Sequence, residues 1–216
     1  MGQLESFSTA GMEDPRRKLS FWNDIACNSF TPIVSDPADV RTFAGSLVRG
    51  RIGDMTVAEV FSEAQLVRHS RLHVARTRAA MFFLHLQVDG RSLNRQDGRE
   101  AALTAGDFTL CDSTRPYEMQ FDGPNHMFVL GIPDAALRRH LASPECLVAI
   151  RMPGSSGLSG LLSDFLRHFW REYQSGLDDA AASRVTSTIL DLISSAYSVA
   201  PQARADRSSL AAAHLV

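Results

Sequence analysis

Very little of this 216-residue chain points to a secreted, membrane or metal-bound protein. It has three cysteines, Cys27, Cys111 and Cys146, widely spaced and in no Cys-x-x-Cys pair. That excludes a disulfide framework and a zinc ribbon, and reads as three reduced thiols. No apolar run approaches the ~18 residues that would cross a bilayer, and the N-terminus lacks a signal-peptide core. The chain therefore reads as soluble and cytoplasmic. Neither charge sign dominates: the net charge is −2, which argues against a broad surface for a polyanion. Lysine is almost missing. Lys18 is the only one among 22 basic residues, so arginine spacings arise often by chance.

The motifs of catalysis are missing too. There is no Gly-x-Ser-x-Gly elbow, no phosphate-binding loop and no dinucleotide fingerprint. No His-x-His pair occurs, and such a pair is what a β-shell metal site needs to converge imidazoles within ~2–2.3 Å. His69 and His73, placed on one strand, would lie about 13 Å apart. These absences predict no catalytic residue, no metal and no cofactor.

What is present is a change of rhythm. Residues 1–13 show no periodicity and read as a flexible tail. Asp14-Pro15 is an N-cap followed by a first-turn proline, and Leu19, Trp22, Ile25 and Ala26 then share one helical face. From residue 45 to 132, short apolar or alternating runs are broken by Gly90, Asp97-Gly98, Gly106-Asp107 and Asp122-Gly123-Pro124. Nine antiparallel strands follow from that, in a sandwich or small barrel. After Pro133 the period returns to 3.6. Leu158, Leu161, Leu162, Phe165, Leu166, Phe169 and Tyr173 form one stripe, and Ala181 to Ala196 a second, with Gly176 between. Two amphipathic helices in an antiparallel hairpin are predicted. Trp170 lies off the main stripe, so Leu162, Phe165, Phe169, Trp170 and Tyr173 are candidates for a homodimer interface. The organisation is a β-domain over 14–150, a hairpin over 151–200 and a linker over 201–216.

Several stretches carry a resemblance. Gly53-Asp54-Met55, Leu86-Gln87 with Gly90, Gln96-Asp97-Gly98-Arg99-Glu100-Ala101 and the run Ala105 to Tyr117 are similar to the sensor domain of AraC/XylS-type transcription regulators. Ile132-Pro133 and the helical hairpin complete the series from Trp22 to about Tyr197. The resemblance implies an α+β, cupin-like antiparallel β-fold followed by a dimerisation hairpin. It also implies a small-molecule effector, and promoter DNA contacted through a C-terminal helix-turn-helix domain rather than through these residues.

Two places could hold the effector. Arg68, His69, Arg71, His73, Arg76 and Arg78 fall within eleven residues without an acid, and Arg91, Arg95 and Arg99 lie in one hairpin. Strand alternation puts Arg91, Leu93 and Arg95 on one face, with guanidinium roots about 13 Å apart. Fanned inward, with Arg68, Arg71 and Asn94, such forks suit two phosphates or carboxylates. Arg91-Ser-Leu-Asn-Arg95 also has the Arg-x-x-x-Arg form of PilZ domains, which bind cyclic di-GMP. That makes a cyclic dinucleotide the most concrete ligand, although the second PilZ element is missing. The competing description is a solvated hairpin salt-bridged to Asp89, Asp97 and Glu100. The alternative site is the barrel interior, where His85 and Gln87 share a face of one strand and could orient a small organic effector.

Overall fold

The computed structural model describes residues 4–199. Helix α1 (Pro15–Ser29) starts where the Asp14 carboxylate accepts from the backbone N–H groups of Arg16 and Arg17, at 2.9 and 3.4 Å. The cap and the proline satisfy the helix start, and Trp22, Ile25 and Ala26 turn inward.

The strands are β1 (Glu5–Ser8), β2 (Val34–Pro37), β3 (Gly45–Ile52), β4 (Met55–Ser62), β5 (Gln65–His69), β6 (Met81–Asp89), β7 (Arg91–Gln96), β8 (Arg99–Thr104), β9 (Phe108–Asp112), β10 (Tyr117–Phe121) and β11 (Asn125–Pro133). A four-residue helix, α2 (Arg71–Val74), follows β5, and α3 (Asp134–Arg138) follows β11. The first sheet runs β1-β3-β4-β11-β6-β9 and the second β2-β5-β10-β7-β8, antiparallel throughout.

Two cores lie on opposite faces of the first sheet. Phe83, Met127 and Val129 meet Val67, Tyr117 and Met119 of the second sheet inside the sandwich. Phe82, Leu84, Leu86, Phe128 and Leu130 pack the other way, against the long helices α4 (Gly157–Gln174) and α5 (Asp179–Val199). Burial on both faces explains why β6 reads as a nearly unbroken apolar run. Trp22, Ile25, Phe43 and Leu47 form a third cluster, where α1 closes one end.

Two expectations are corrected. Glu5–Ser8 do not belong to a tail: they pair with β3 from Glu5↔Arg49 to Ser8↔Ser46, and Arg49 Nε holds Glu5 at 2.6 Å. Trp170 is not left for a partner. It is 4% exposed and packs on Phe128 with ring centroids 5.7 Å apart. Leu162, Phe169 and Tyr173 are likewise buried in the chain's own core, and Phe165 is half-buried. An apolar sheet face accepts a wider helix stripe than a single ridge, so the aromatic surplus is consumed within the chain. The exposed apolar residue of α4 is Leu161, at 61%. The linker over 201–216 lies outside the described residues. Among the described residues, no helix is long and apolar enough to cross a membrane.

Candidate functional site

Strand alternation decides what faces the sandwich interior. On β6 it is Phe83, His85 and Gln87; on β7 it is Ser92, Asn94 and Gln96, all buried. Apart from Gln96, which bonds the backbone of Asp112, these polar side chains form one directed chain of hydrogen bonds. His85 Nδ1 pairs with Asn94 Oδ1 at 3.1 Å, and Asn94 Nδ2 donates to Ser92 Oγ at 3.1 Å. Ser92 Oγ donates to Gln87 Oε1 at 2.7 Å. Gln87 Nε2 donates to Asn125 Oδ1 at 2.5 Å and to the Asp89 carbonyl at 2.6 Å. Because the Asn94 amide nitrogen is spent on Ser92, its oxygen faces the ring, and His85 Nδ1 carries the proton.

Next to this chain lies a cavity of ≈ 50 Å³ between the sheets and beneath α1. Trp22 of α1 and Phe30, just past its end, cover it, and Phe83, Tyr117, Met119 and Met127 wall it. The polar lining is neutral: His85, Gln65, Ser62, Ser35 and Asn125. Trp22 Nε1 donates to Gln65 Oε1 at 3.1 Å, and Gln65 Nε2 to Ser62 Oγ at 2.8 Å, so the cover is latched to the wall. Burial strips water from the His85 ring and pushes its pKa down to about 4, against the opposing effect of the Asn94 hydrogen bond. His85 is thus uncharged near neutral pH. The cavity can exchange neutral hydrogen bonds and apolar contact, and nothing in its lining answers a full charge.

The arginines stand elsewhere. Arg91, Leu93 and Arg95 do share a face of β7, but it is the outer one. They fan into solvent because the inward positions belong to Ser92, Asn94 and Gln96. Arg95 Nε pairs with Glu100 at 2.7 Å, and Arg68 pairs with Asp36 at 3.2 Å and Glu118 at 3.4 Å. Arg68, Arg95 and Arg99 come together along an outer groove of ≈ 400 Å³ that also holds Glu100 and Glu118. Arg99 is tied to the carbonyls of Glu145 and Cys146. Arg91, opposite Thr104, and Arg71, on α2, are exposed and outside that groove. Asn94 belongs with His85, not with the arginines. The predicted cluster of Arg68, Arg71, Arg91, Asn94 and Arg95 is therefore split over four places.

His69 and His73 also sit differently from the strand estimate. The chain turns into α2 after Ser70, which brings the two rings to 6.1 Å between centroids. Both His69 nitrogens face backbone carbonyls, Pro32 at 2.6 Å and Ser113 at 2.9 Å, so this residue ties loops together. Among the described residues, no group of three or more His, Cys, Asp or Glu side chains is placed to hold a metal ion.

Sequence reasoning missed Trp22, Gln65, Tyr117 and Asn125 as cavity residues, because each comes from a different element. The run Ser92-Leu-Asn-Arg-Gln96 did carry a usable signal. Neutral amides alternate there with charge, and only the neutral face can be buried.

Comparison with known proteins agrees with this architecture. The AraC-binding-like domain family matches residues 22–196. An uncharacterized protein encoded in the nit 5′ region of Bacillus sp. (strain OxB-1) is 32% identical over 184 residues, covering 85% of this chain and 71% of that protein. Among solved structures, the AraC-like transcriptional activator CuxR superposes with a TM-score of 0.79 over 92% of this chain and 71% of its own, at 16% identity, a likeness of fold. A family match across the barrel and both long helices, with a relative aligned over most of its length, places the chain in the AraC-binding-like family, the cupin-type ligand-binding domain of AraC-like transcription regulators.

Proposed function

We propose that the domain senses a small, uncharged, largely apolar organic molecule in the cavity under α1, and that occupancy is passed to the α4–α5 hairpin. The observation that carries this is the lining: aromatic and thioether walls with neutral hydrogen-bonding groups, and His85 held uncharged. As it stands, ≈ 50 Å³ holds only a few waters at ~10–15 Å³ each. An effector enters by lifting α1, whose Trp22–Gln65 hydrogen bond is the latch, while Met119 and Met127 re-pack around it. In this reading the domain carries out no chemistry. It works as a homodimer whose hairpins set the spacing of attached DNA-reading domains, and the effector shifts a population between two hairpin arrangements.

A thermal-shift screen across aromatic alcohols and amides, amines, sugars and cyclic dinucleotides tests the proposal. A binder at a hundredfold excess over its dissociation constant stabilises the fold by about 2.7 kcal/mol. Filling the cavity with Met119→Trp abolishes that gain if the site is inside. The second reading, an anionic ligand such as cyclic di-GMP on the outer groove, is favoured by the meeting of Arg68 and Arg95. Such a ligand must compete with Glu100 and Glu118 for both guanidinium groups. Stabilisation by cyclic di-GMP that survives Met119→Trp and disappears in Arg95→Gln replaces the first reading with the second.

A further inference from the structure

A larger and chemically different concavity lies at the end of β3, between the barrel and the helical hairpin. It measures ≈ 660 Å³ and takes its walls from β1, the end of α1, the β3–β4 hairpin, α4 and α5. Its groups are polar: Arg49 and Arg51 on one face of β3, Asn28 and Ser29 at the end of α1, Glu5 on β1 and Ser183 on α5. We infer that this cleft is a second ligand site, for a small hydroxylated molecule with a single anionic group, such as a phosphate monoester of a polyol, bound between the barrel and the hairpin.

The two arginines carry the argument. One pleat apart on the same strand face, their Cα atoms lie roughly 7 Å from each other, close enough for both forks to reach one phosphate. Arg49 is pre-oriented. Its Nε holds Glu5 at 2.6 Å, its Nη1 donates to Ser29 Oγ at 3.0 Å, and its guanidinium lies 5.0 Å over the Phe7 ring. Three of its five N–H donors remain beyond those two bonds. Arg51 is exposed and has no ion pair among the described residues, while its backbone carbonyl is fixed by the Tyr173 hydroxyl at 2.8 Å.

Charge sets the ligand class. Glu5 offsets one guanidinium and leaves about one positive charge, which suits a single anionic group better than a pyrophosphate. The amide of Asn28 and the hydroxyls of Ser29 and Ser183 then suit the ligand's own hydroxyls. Gly50 lets Leu4 and Tyr173 pack directly on the β3 backbone: a Cβ there would lie 2.9 Å from Leu4 Cδ2 and 3.0 Å from Tyr173 Cε1. Since the walls come from both layers, an occupant bridges the barrel to α5 and biases the hairpin directly, independently of the interior cavity.

Glycerol 3-phosphate, titrated into the ¹⁵N-labelled chain at millimolar concentrations, is the probe, with glycerol and sulfate alongside. The proposal expects saturable shifts at Gly50–Gly53 and at Ser183, with no effect of glycerol and weaker binding of sulfate. Arg51→Gln, a surface change, weakens glycerol 3-phosphate binding about tenfold, the worth of one charge-assisted contact, while Arg95→Gln on the other face leaves it unchanged. The absence of saturable shifts, shifts confined to the Arg95 groove, sulfate binding as tight as the ester, or full affinity in Arg51→Gln each overturns it.

Discussion

His85 makes the burial of the interior network measurable as a pH effect. In the unfolded chain its imidazole titrates at the ordinary 6.5, and in the folded chain burial holds it down to about 4. Protonation therefore favours unfolding. The stability that this residue contributes is fully present above pH 6.5 and is lost as pH falls toward 4. Across the whole interval the shift is worth about 3 kcal/mol, and between neutrality and about pH 5 it already removes about 2 kcal/mol. Urea unfolding of the wild type and of His85→Gln at about pH 7.5 and about pH 5 isolates the term, because all other titrating groups are common to both proteins. His85→Gln keeps a donor for Asn94 and cannot ionise. The wild type should lose about 2 kcal/mol more than the variant on acidification. Equal losses in the two proteins would mean that the ring keeps its hydration in the folded chain, and the claim of an uncharged lining would fail.

The remaining predictions address packing and the outer face. Gly154→Ala would drive a methyl group into the Gly106 carbonyl, backbone against backbone, so equilibrium unfolding should show a loss of about 2–3 kcal/mol. Trp170→Ala should cost about 3–5 kcal/mol at any protein concentration, since the indole is buried within one chain. A loss that fades on dilution would instead give Trp170 to an interface. Ser92→Ala leaves the Gln87 side-chain oxygen, Oε1, without the Ser92 donor and should cost about 1–3 kcal/mol by urea titration. Arg95→Gln breaks a pair whose side chains are 36% and 60% exposed, and should change stability by less than about 1 kcal/mol, still less at high salt.

The nine strands between residues 45 and 133 were legible because each apolar run ends at a turn residue the backbone needs, such as Asp97-Gly98, both at positive φ. The two strands outside that region were not. Glu5-Ser-Phe-Ser and Val34-Ser-Asp-Pro each carry one large apolar side chain, and their extended form comes from pairing with β3 and β5 rather than from their own composition. The same limit applied to the site. Alternation correctly grouped Arg91 with Arg95 and His85 with Gln87, yet which group faces inward depends on the opposing sheet. Burial energetics supply the missing choice: a row of guanidinium groups without acids beneath it must take the wet side. The interior residues from α1, β5, β10 and β11 are far apart in sequence, and only the closed sandwich brings them together.

That closed arrangement also bears on how a ligand's presence could leave the barrel. On β6, His85 and Phe83 touch the cavity while Leu84 and Leu86, on the same backbone, lie in the core shared with α4 and α5. β11 repeats the pattern, with Met127 and Val129 inside and Phe128 against Trp170 outside. Gln87, at the end of the polar chain, also donates to the His126 carbonyl at 3.4 Å, where β11 shifts register against β6. The His126 ring holds Glu59 at 2.7 Å, and Glu59 accepts from Gln174 of α4 at 3.0 Å. Protein interiors are packed too tightly for one face of such a strand to move without the other. On the proposed reading, an effector that displaces His85 thus acts on the very strands to which the hairpin is bound, and no separate signalling element is required.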